Sequence, residues 1–163
     1  MTVRYTPGQL RDAAAVPPET YRHWKKALAP LRRDTRQSPC FTAGDLLAVA
    51  VVRSMTRSFV RVGALSVIAE ELFRLCSDTS WPVLERSRMI VDLLNRRIEL
   101  QPESEDIDLD SPALVCPLRP LVGQLRDALL TDGEPDQQRL NLPPVPLPSN
   151  TEGHRQAVAR GRR

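Results

Sequence analysis

The sequence lacks the long apolar segments of membrane and secreted proteins. Its 163 residues contain no hydrophobic run longer than residues 46–52, well short of the roughly 20 residues that span a bilayer. No apolar stretch precedes the first turn signal at Pro7 and Gly8, so a secretory signal peptide is not expected. We therefore expect a cytoplasmic protein that does not contact a membrane.

Cysteine and histidine are too few and too scattered for a cysteine-based scaffold or a metal centre. Cys40, Cys76 and Cys116 are odd in number, widely spaced and without a Cys-x-x-Cys pair, which disfavours a disulfide framework and a zinc finger. Few, unpaired cysteines are typical of proteins in a reducing cytoplasm. His23 and His154 have no partner at ligand spacing, so we expect no metal.

The motifs of common enzyme classes are missing as well. The sequence contains no glycine-rich phosphate loop, nucleophile elbow or His-Glu-x-x-His string. The acidic residues between positions 102 and 112 are too many and too close together to indicate a catalytic pair, and they predict a solvated loop. We expect neither enzymatic activity nor a cofactor.

Charged residues are frequent in the sequence, and they are unevenly distributed. The formal net charge is +3, yet residues 1–62 hold eleven basic and four acidic residues, whereas the remainder holds twelve basic and sixteen acidic ones. A basic N-terminal segment on a neutral to acidic body favours a polyanionic partner. A solvated, arginine-rich surface is the alternative interpretation.

Two predicted helices begin with the same capping pattern. Thr6 is followed three residues later by Gln9, and Thr42 is followed at the same spacing by Asp45, as in a capping box. The first helix is predicted over residues 7–15. The second is apolar on most sides, so we expect it to be the buried centre of the fold.

The segment between these two helices is basic. A helix is predicted from Pro18 to about residue 26, with Tyr21 and Trp24 on its packed side and cationic residues on the other. Residues 29–41 lack helical periodicity and favour a short β-hairpin or an extended loop.

The rest of the sequence predicts a mixture of elements followed by a tail. The predicted elements are a helix over residues 64–76, a helix from a Ser80 cap to about residue 95, strands over residues 96–101 and 113–118 joined by the acidic loop, and a helix over residues 118–130. Residues 132–163 contain five prolines and a basic end, which indicates a flexible tail.

The N-terminal half also resembles a known family. The resemblance is carried by the strings Tyr5-Thr-Pro-Gly-Gln-Leu10, Val16-Pro-Pro-Glu-Thr20-Tyr-Arg22-His-Trp24 and Phe41-Thr-Ala-Gly-Asp45-Leu46. They are similar to the DNA-binding domain of the MerR family over about residues 3–76. The family's long dimer helix and effector domain have no recognisable counterpart in this sequence. The resemblance implies a winged helix-turn-helix whose second helix lies against DNA.

Together these observations predict a mainly α fold. A MerR-like winged helix-turn-helix (residues 1–78) would be followed by a small α+β region that mediates dimerisation (residues 79–131). A disordered, proline-rich tail with a basic end would follow (residues 132–163).

The expected site is a set of DNA contacts on and around the second helix. In helix-turn-helix proteins the early residues of that helix reach bases and later cationic residues hold phosphates. The candidate DNA-binding residues are Thr6, Pro18, Glu19, Thr20, Tyr21, Arg22, His23, Lys25, Lys26, Arg32, Arg33 and Arg36.

The predicted function is that of a sequence-specific, nucleoid-associated regulator of transcription. We expect a homodimer that binds double-stranded DNA, with phage or mobile-element genes among its targets and RNA polymerase or another regulator as a further partner. Two alternatives stay open. One is an excisionase-like architectural factor that bends DNA, and the other is a protein-interaction adaptor that docks through the proline-rich tail.

Overall fold

The computed structural model describes residues 3–33 and 38–131. Its elements, in chain order, are α1 (Pro7–Ala13), α2 (Pro18–Ala27), a 3₁₀ helix (Ala29–Arg33), α3 (Ala43–Arg57), α4 (Val62–Leu65), α5 (Ala69–Asp78), α6 (Trp81–Leu84), β1 (Ser87–Asp92), β2 (Arg97–Pro102), β3 (Leu114–Pro117) and α7 (Arg119–Thr131). Within these ranges, no helix combines the length and the hydrophobicity that a transmembrane span requires.

The expected mainly α fold is wrong, because the described residues combine their helices with a three-stranded antiparallel sheet in the order β2-β1-β3. The fold is mixed α and β. The central strand β1 lies inside the segment where a helix over residues 81–95 was expected. That helix ends after one turn at Leu84, and the side chain of Ser80 makes no capping hydrogen bond.

The two outer strands were predicted, and both pair with β1. The β1–β2 pairing runs from Ser87 opposite Pro102 to Asp92 opposite Arg97, and β3 lies along the other edge of β1. Five of the six residues of β1 are buried. Its apolar residues 89–91 follow one another without alternation, and periodicity alone does not distinguish such a short apolar run from part of a buried helix.

Helix α3 forms the centre of the molecule, as predicted. Residues 44–52 and Met55 are all buried. The helix packs against α5 at very short range, because a Cβ atom on Gly44 would lie 2.4 Å from the Cα atom of Ser77. The absence of a side chain at Gly44 is therefore what lets these two helices approach.

Both predicted capping boxes are confirmed. The backbone N–H of Gln9 donates to Oγ1 of Thr6 over 3.2 Å, and the backbone N–H of Thr6 donates back to Oε1 of Gln9 over 3.0 Å. The backbone N–H groups of Asp45 and Thr42 make the corresponding pair of bonds over 3.1 and 2.7 Å. These bonds satisfy backbone donors that the first turns of α1 and α3 leave open.

The short β-hairpin or extended loop expected over residues 29–41 is wrong for its first five residues. Residues Ala29–Arg33 form a 3₁₀ helix in which Pro30 and Leu31 are buried, so packing fixes this segment instead of strand pairing. Residues 34–37 lie outside the described part of the chain. Phe41 forms an isolated antiparallel bridge with Tyr5.

The helix expected over residues 64–76 is divided into α4 and α5. Its predicted apolar positions are nevertheless buried, among them Leu65, Ile68 and Leu72. The amphipathic pattern therefore identified the packed face correctly, although the helix is not continuous.

One hydrophobic core extends through the described residues. Helix α7 packs against α1 and α3, and its buried Val122 and Leu125 belong to the same cluster as Leu10 and Trp24. The core is thus continuous across the boundary expected between residues 78 and 79, and that boundary stays a prediction. The tail expected over residues 132–163 lies outside the described residues.

Candidate nucleic-acid interface

Helix α2 has one packed face and one exposed face, as its sequence predicted. Tyr21 and Trp24 are only 6% and 4% exposed. Four exposed residues follow one another at helical spacing on the other side, and we call them the outer face of α2: Glu19, Arg22, His23 and Lys26. This face can therefore reach a partner without rearrangement of the core.

A tight turn fixes the start of α2. Ala15 has a φ of 50°, a left-handed conformation that is uncommon outside glycine, asparagine and aspartate. The next backbone N–H, that of Val16, donates to the carbonyl of Arg11 over 2.8 Å. The turn thereby bends the chain directly from α1 into Pro18 at the start of α2.

The end of α2 is capped by Arg32 from the 3₁₀ helix. Its Nη2 donates to the carbonyl of Lys26 over 2.7 Å, and its Nε donates to the carbonyl of Lys25 over 3.4 Å. A cation at this position satisfies terminal carbonyls and complements the helix dipole. Arg32 thus stabilises the C-terminal end of α2. The sequence did not indicate this role, because the carbonyl groups that Arg32 binds lie six and seven residues earlier in the chain.

The outer face of α2 carries mixed charge with a basic excess. Nη1 of Arg22 lies 2.9 Å from a carboxylate oxygen of Glu19, and the two side chains are 69% and 79% exposed. Such exposed pairs contribute little to stability. The guanidinium of Arg22 can therefore exchange this partner for a phosphate at small cost, while Lys26 stands exposed one turn further along.

Two other residues that were predicted to contact DNA instead interact with other parts of the protein. Nη2 of Arg33 donates to Oδ1 of Asp45 over 2.8 Å, and its Nε donates to the carbonyl of Pro30 over 3.0 Å. Asp45 is 1% exposed, so removing Arg33 would leave a buried carboxylate short of its counter-charge. Thr6 uses its hydroxyl to cap α1. Both residues therefore serve the fold.

The remaining predicted residues are divided between exposed and half-buried positions. Pro18 is exposed at the start of α2, and Thr20 and Lys25 are half-buried beside the outer face. Arg36 lies outside the described residues. The structure therefore brings together one compact basic group on α2, and it separates Thr6 and Arg33 from that group.

Sequence reasoning missed a cleft between α1, α3 and α7. Arg53 and Arg57 lie in its wall. The signal that could have revealed them is a pair of arginines four residues apart on an otherwise apolar helix. The sequence could not show that α7 lies opposite them.

The cysteines are inert where they are buried. Burial is the main cause that raises the pKa of Cys76 to about 12, with a smaller contribution from the charge of Asp45. Burial also raises the pKa of Cys116. Both thiols therefore stay neutral and weakly nucleophilic at physiological pH.

Neither a metal-binding cluster in the described residues nor a comparison with known proteins indicates a function. Within residues 3–33 and 38–131, no group of three or more His, Cys, Asp or Glu side chains could hold a metal ion. No protein-family model, curated protein or solved structure matches the chain.

Proposed function

We propose that the protein binds double-stranded DNA through the outer face of α2 and regulates transcription. The observation that carries this proposal is an exposed row of basic side chains, Arg22 and Lys26, on a helix whose opposite side is buried through Tyr21 and Trp24. A short, anchored helix of this kind has the dimensions to enter a major groove roughly 12 Å wide.

Charge around the helix supports the same choice of partner. Residues 3–33 contain seven basic and two acidic residues. This excess of positive charge attracts polyanions over distances up to about the Debye length of the solution. In this arrangement Arg22 and Lys26 contact phosphates, and His23, which is exposed beside them, reaches a base edge.

The MerR resemblance remains part of the proposal only for α1, the turn at Ala15 and α2. A regulator of this kind reads two half-sites as a homodimer, and we propose the same for this protein. Contact with RNA polymerase or another regulator, and a role in phage or mobile-element genes, belong to the same proposal.

The test is a binding assay on the full chain with a fluorescently labelled duplex of random sequence. We expect R22Q/K26Q to bind about tenfold more weakly at low salt, because two phosphate contacts are lost. The plot of log affinity against log salt concentration should become less steep by about two for the same reason. Fluorescence anisotropy measures both quantities.

The control removes the same charge from another surface. Arg86 and Arg97 are exposed beside and within the sheet, so R86Q/R97Q should bind DNA nearly as the wild type does. Equal affinity of R22Q/K26Q and wild type would contradict the proposal, as would equal losses in the two double variants. Selection of bound sequences from a random pool would then test sequence specificity.

A further inference from the structure

The cleft between α1, α3 and α7 has the size of a small-molecule site. Its volume is about 560 Å³, within the range of roughly 300–1,000 Å³ that is typical of ligand pockets. It lies at the C-terminal end of α1, where residues 12–15 line it, and along the middle of α7. Most of its lining residues belong to α1, α3 and α7, whereas Ala14, Ala15 and Ser58 lie just beyond the ends of α1 and α3.

One wall of the cleft is cationic. Arg53 and Arg57 lie one turn apart on α3, the first half-buried and the second exposed. Within the described residues neither guanidinium has a hydrogen bond or an ion pair. Two such groups at this spacing provide the paired donors that a carboxylate, phosphate or sulfonate accepts.

The remaining walls are mostly apolar. Ala13, Ala14, Ala50 and Ala128 leave space because their side chains are small, and Leu125 adds apolar surface. These residues can contact the carbon skeleton of a ligand but cannot neutralise its charge.

Two polar residues of the lining restrict the ligand further. Asp12 on α1 and Gln124 on α7 also line the cleft. The carboxylate of Asp12 repels a second anionic group and accepts hydrogen bonds from a hydroxyl or an amine. A polyanion such as a nucleic-acid strand is therefore a poor occupant, and a molecule with one acidic group is a good one.

We propose that this cleft binds a small organic acid. The acidic group of the ligand lies between Arg53 and Arg57, and the apolar body of the ligand lies against the alanines that line the cleft. This site is separate from the outer face of α2, so the inference does not rest on DNA binding. It assigns to the protein a ligand site that neither the sequence motifs nor the charge distribution indicated.

The experiment uses 8-anilinonaphthalene-1-sulfonate as the probe, because it combines one sulfonate with aromatic rings and fluoresces when it leaves water. We expect saturable binding to the full-length wild type that weakens as salt is added. R53Q/R57Q should bind the probe at least about tenfold more weakly, since two charge-assisted hydrogen bonds are lost.

Two further variants make the result specific to the cleft. R61Q removes an exposed arginine near the end of α3 that is not part of the lining, and it should bind the probe as the wild type does. A128W keeps every charge but fills the space, so it should abolish saturable binding even if R53Q/R57Q fails to fold by circular dichroism. Unchanged affinity in A128W, or in folded R53Q/R57Q, overturns the proposal, as does the absence of saturable binding to wild type.

Discussion

At the scale of single residues, Asp92 shows how one carboxylate organises two loops. Its Oδ1 accepts hydrogen bonds from the backbone N–H groups of Leu94 and Asn95 over 3.0 and 2.9 Å. Its Oδ2 accepts from the side chains of Asn95 and Ser111. The carboxylate thus fixes the turn between β1 and β2 and ties down the end of the acidic segment before β3.

These bonds predict a defined loss of stability in acid. The hydrogen bond from Ser111, followed by those from Asn95, lowers the pKa of Asp92 from 3.8 to about 2. Because the folded state favours the charged form, the stabilisation is fully present above the ordinary pKa of 3.8 and is lost as the pH falls through about 2. Urea unfolding across this range should show the loss in wild type and a shallower one in D92N.

Asp108 provides the matched control, because it is an exposed carboxylate in the same acidic segment. D108N keeps every hydrogen bond to Asp92, so the loss of stability in acid that Asp92 causes should persist in this variant. The carboxyl ¹³C resonance of Asp92 gives a direct reading of its titration. A midpoint near 3.8 for that resonance would contradict the prediction.

At the scale of elements, the contact between α3 and α5 depends on Gly44. A Cβ atom there would lie 2.4 Å from Cα of Ser77 and 2.5 Å from the carbonyl oxygen of Cys76. Both neighbours are backbone atoms, so the two helices must move apart. G44A should lower the free energy of unfolding by about 1–3 kcal/mol, the usual cost of overpacking, as measured by urea denaturation.

Gly123 in α7 is the control for helix propensity. Apart from its chain neighbours and the nearby backbone of α7, no heavy atom of the described residues lies within 4 Å of a Cβ built on Gly123. G123A should therefore raise the free energy of unfolding by about 0.5–1 kcal/mol, because alanine favours the helix over glycine. Equal effects of the two substitutions would show that the close approach of α3 and α5 does not matter.

Elements whose signals are local could be predicted from the sequence. The capping boxes at Thr6 and Thr42 each lie within four residues, and both exist in the structure. The two faces of α2 follow from helical spacing alone, so the burial of Tyr21 and Trp24 was also correct. A helix start and a helix face need no knowledge of distant parts of the chain.

Two elements that depend on distant partners, strand β1 and the 3₁₀ helix, could not be predicted. Strand β1 forms because β2 and β3 pair with it on both sides, whereas Ser80 and Pro82 mark the start of α6, which ends after one turn at Leu84. The 3₁₀ helix is held by the burial of Pro30 and Leu31 and by the bond from Arg33 to Asp45, twelve residues away. For the candidate site, the outer face of α2 could therefore be anticipated, but the roles of Arg32 and Arg33 could not.

At the scale of the whole molecule, α7 joins the two ends of the described chain into one core. Leu125 is 1% exposed, and α7 packs against both α1 and α3. L125A should therefore lower the free energy of unfolding by about 2–5 kcal/mol. The loss should extend to the N-terminal helices, so fluorescence of Trp24 in a W81F background and circular dichroism should report one coincident transition.

Leu130 on the same helix is 70% exposed, which makes L130A the control with little expected effect. Two separated transitions in wild type would contradict a single cooperative core. They would instead support independent folding units on either side of residue 78.

The packing of α7 against α1 also sets an order of events during synthesis. Ribosomes deliver α1 and α3 well before α7, so the surfaces that will receive Val122 and Leu125 remain open to water while the sheet is being made. The nascent protein therefore carries an unfinished apolar surface until its last described helix emerges. A holdase chaperone that binds apolar segments would have its longest opportunity in that interval.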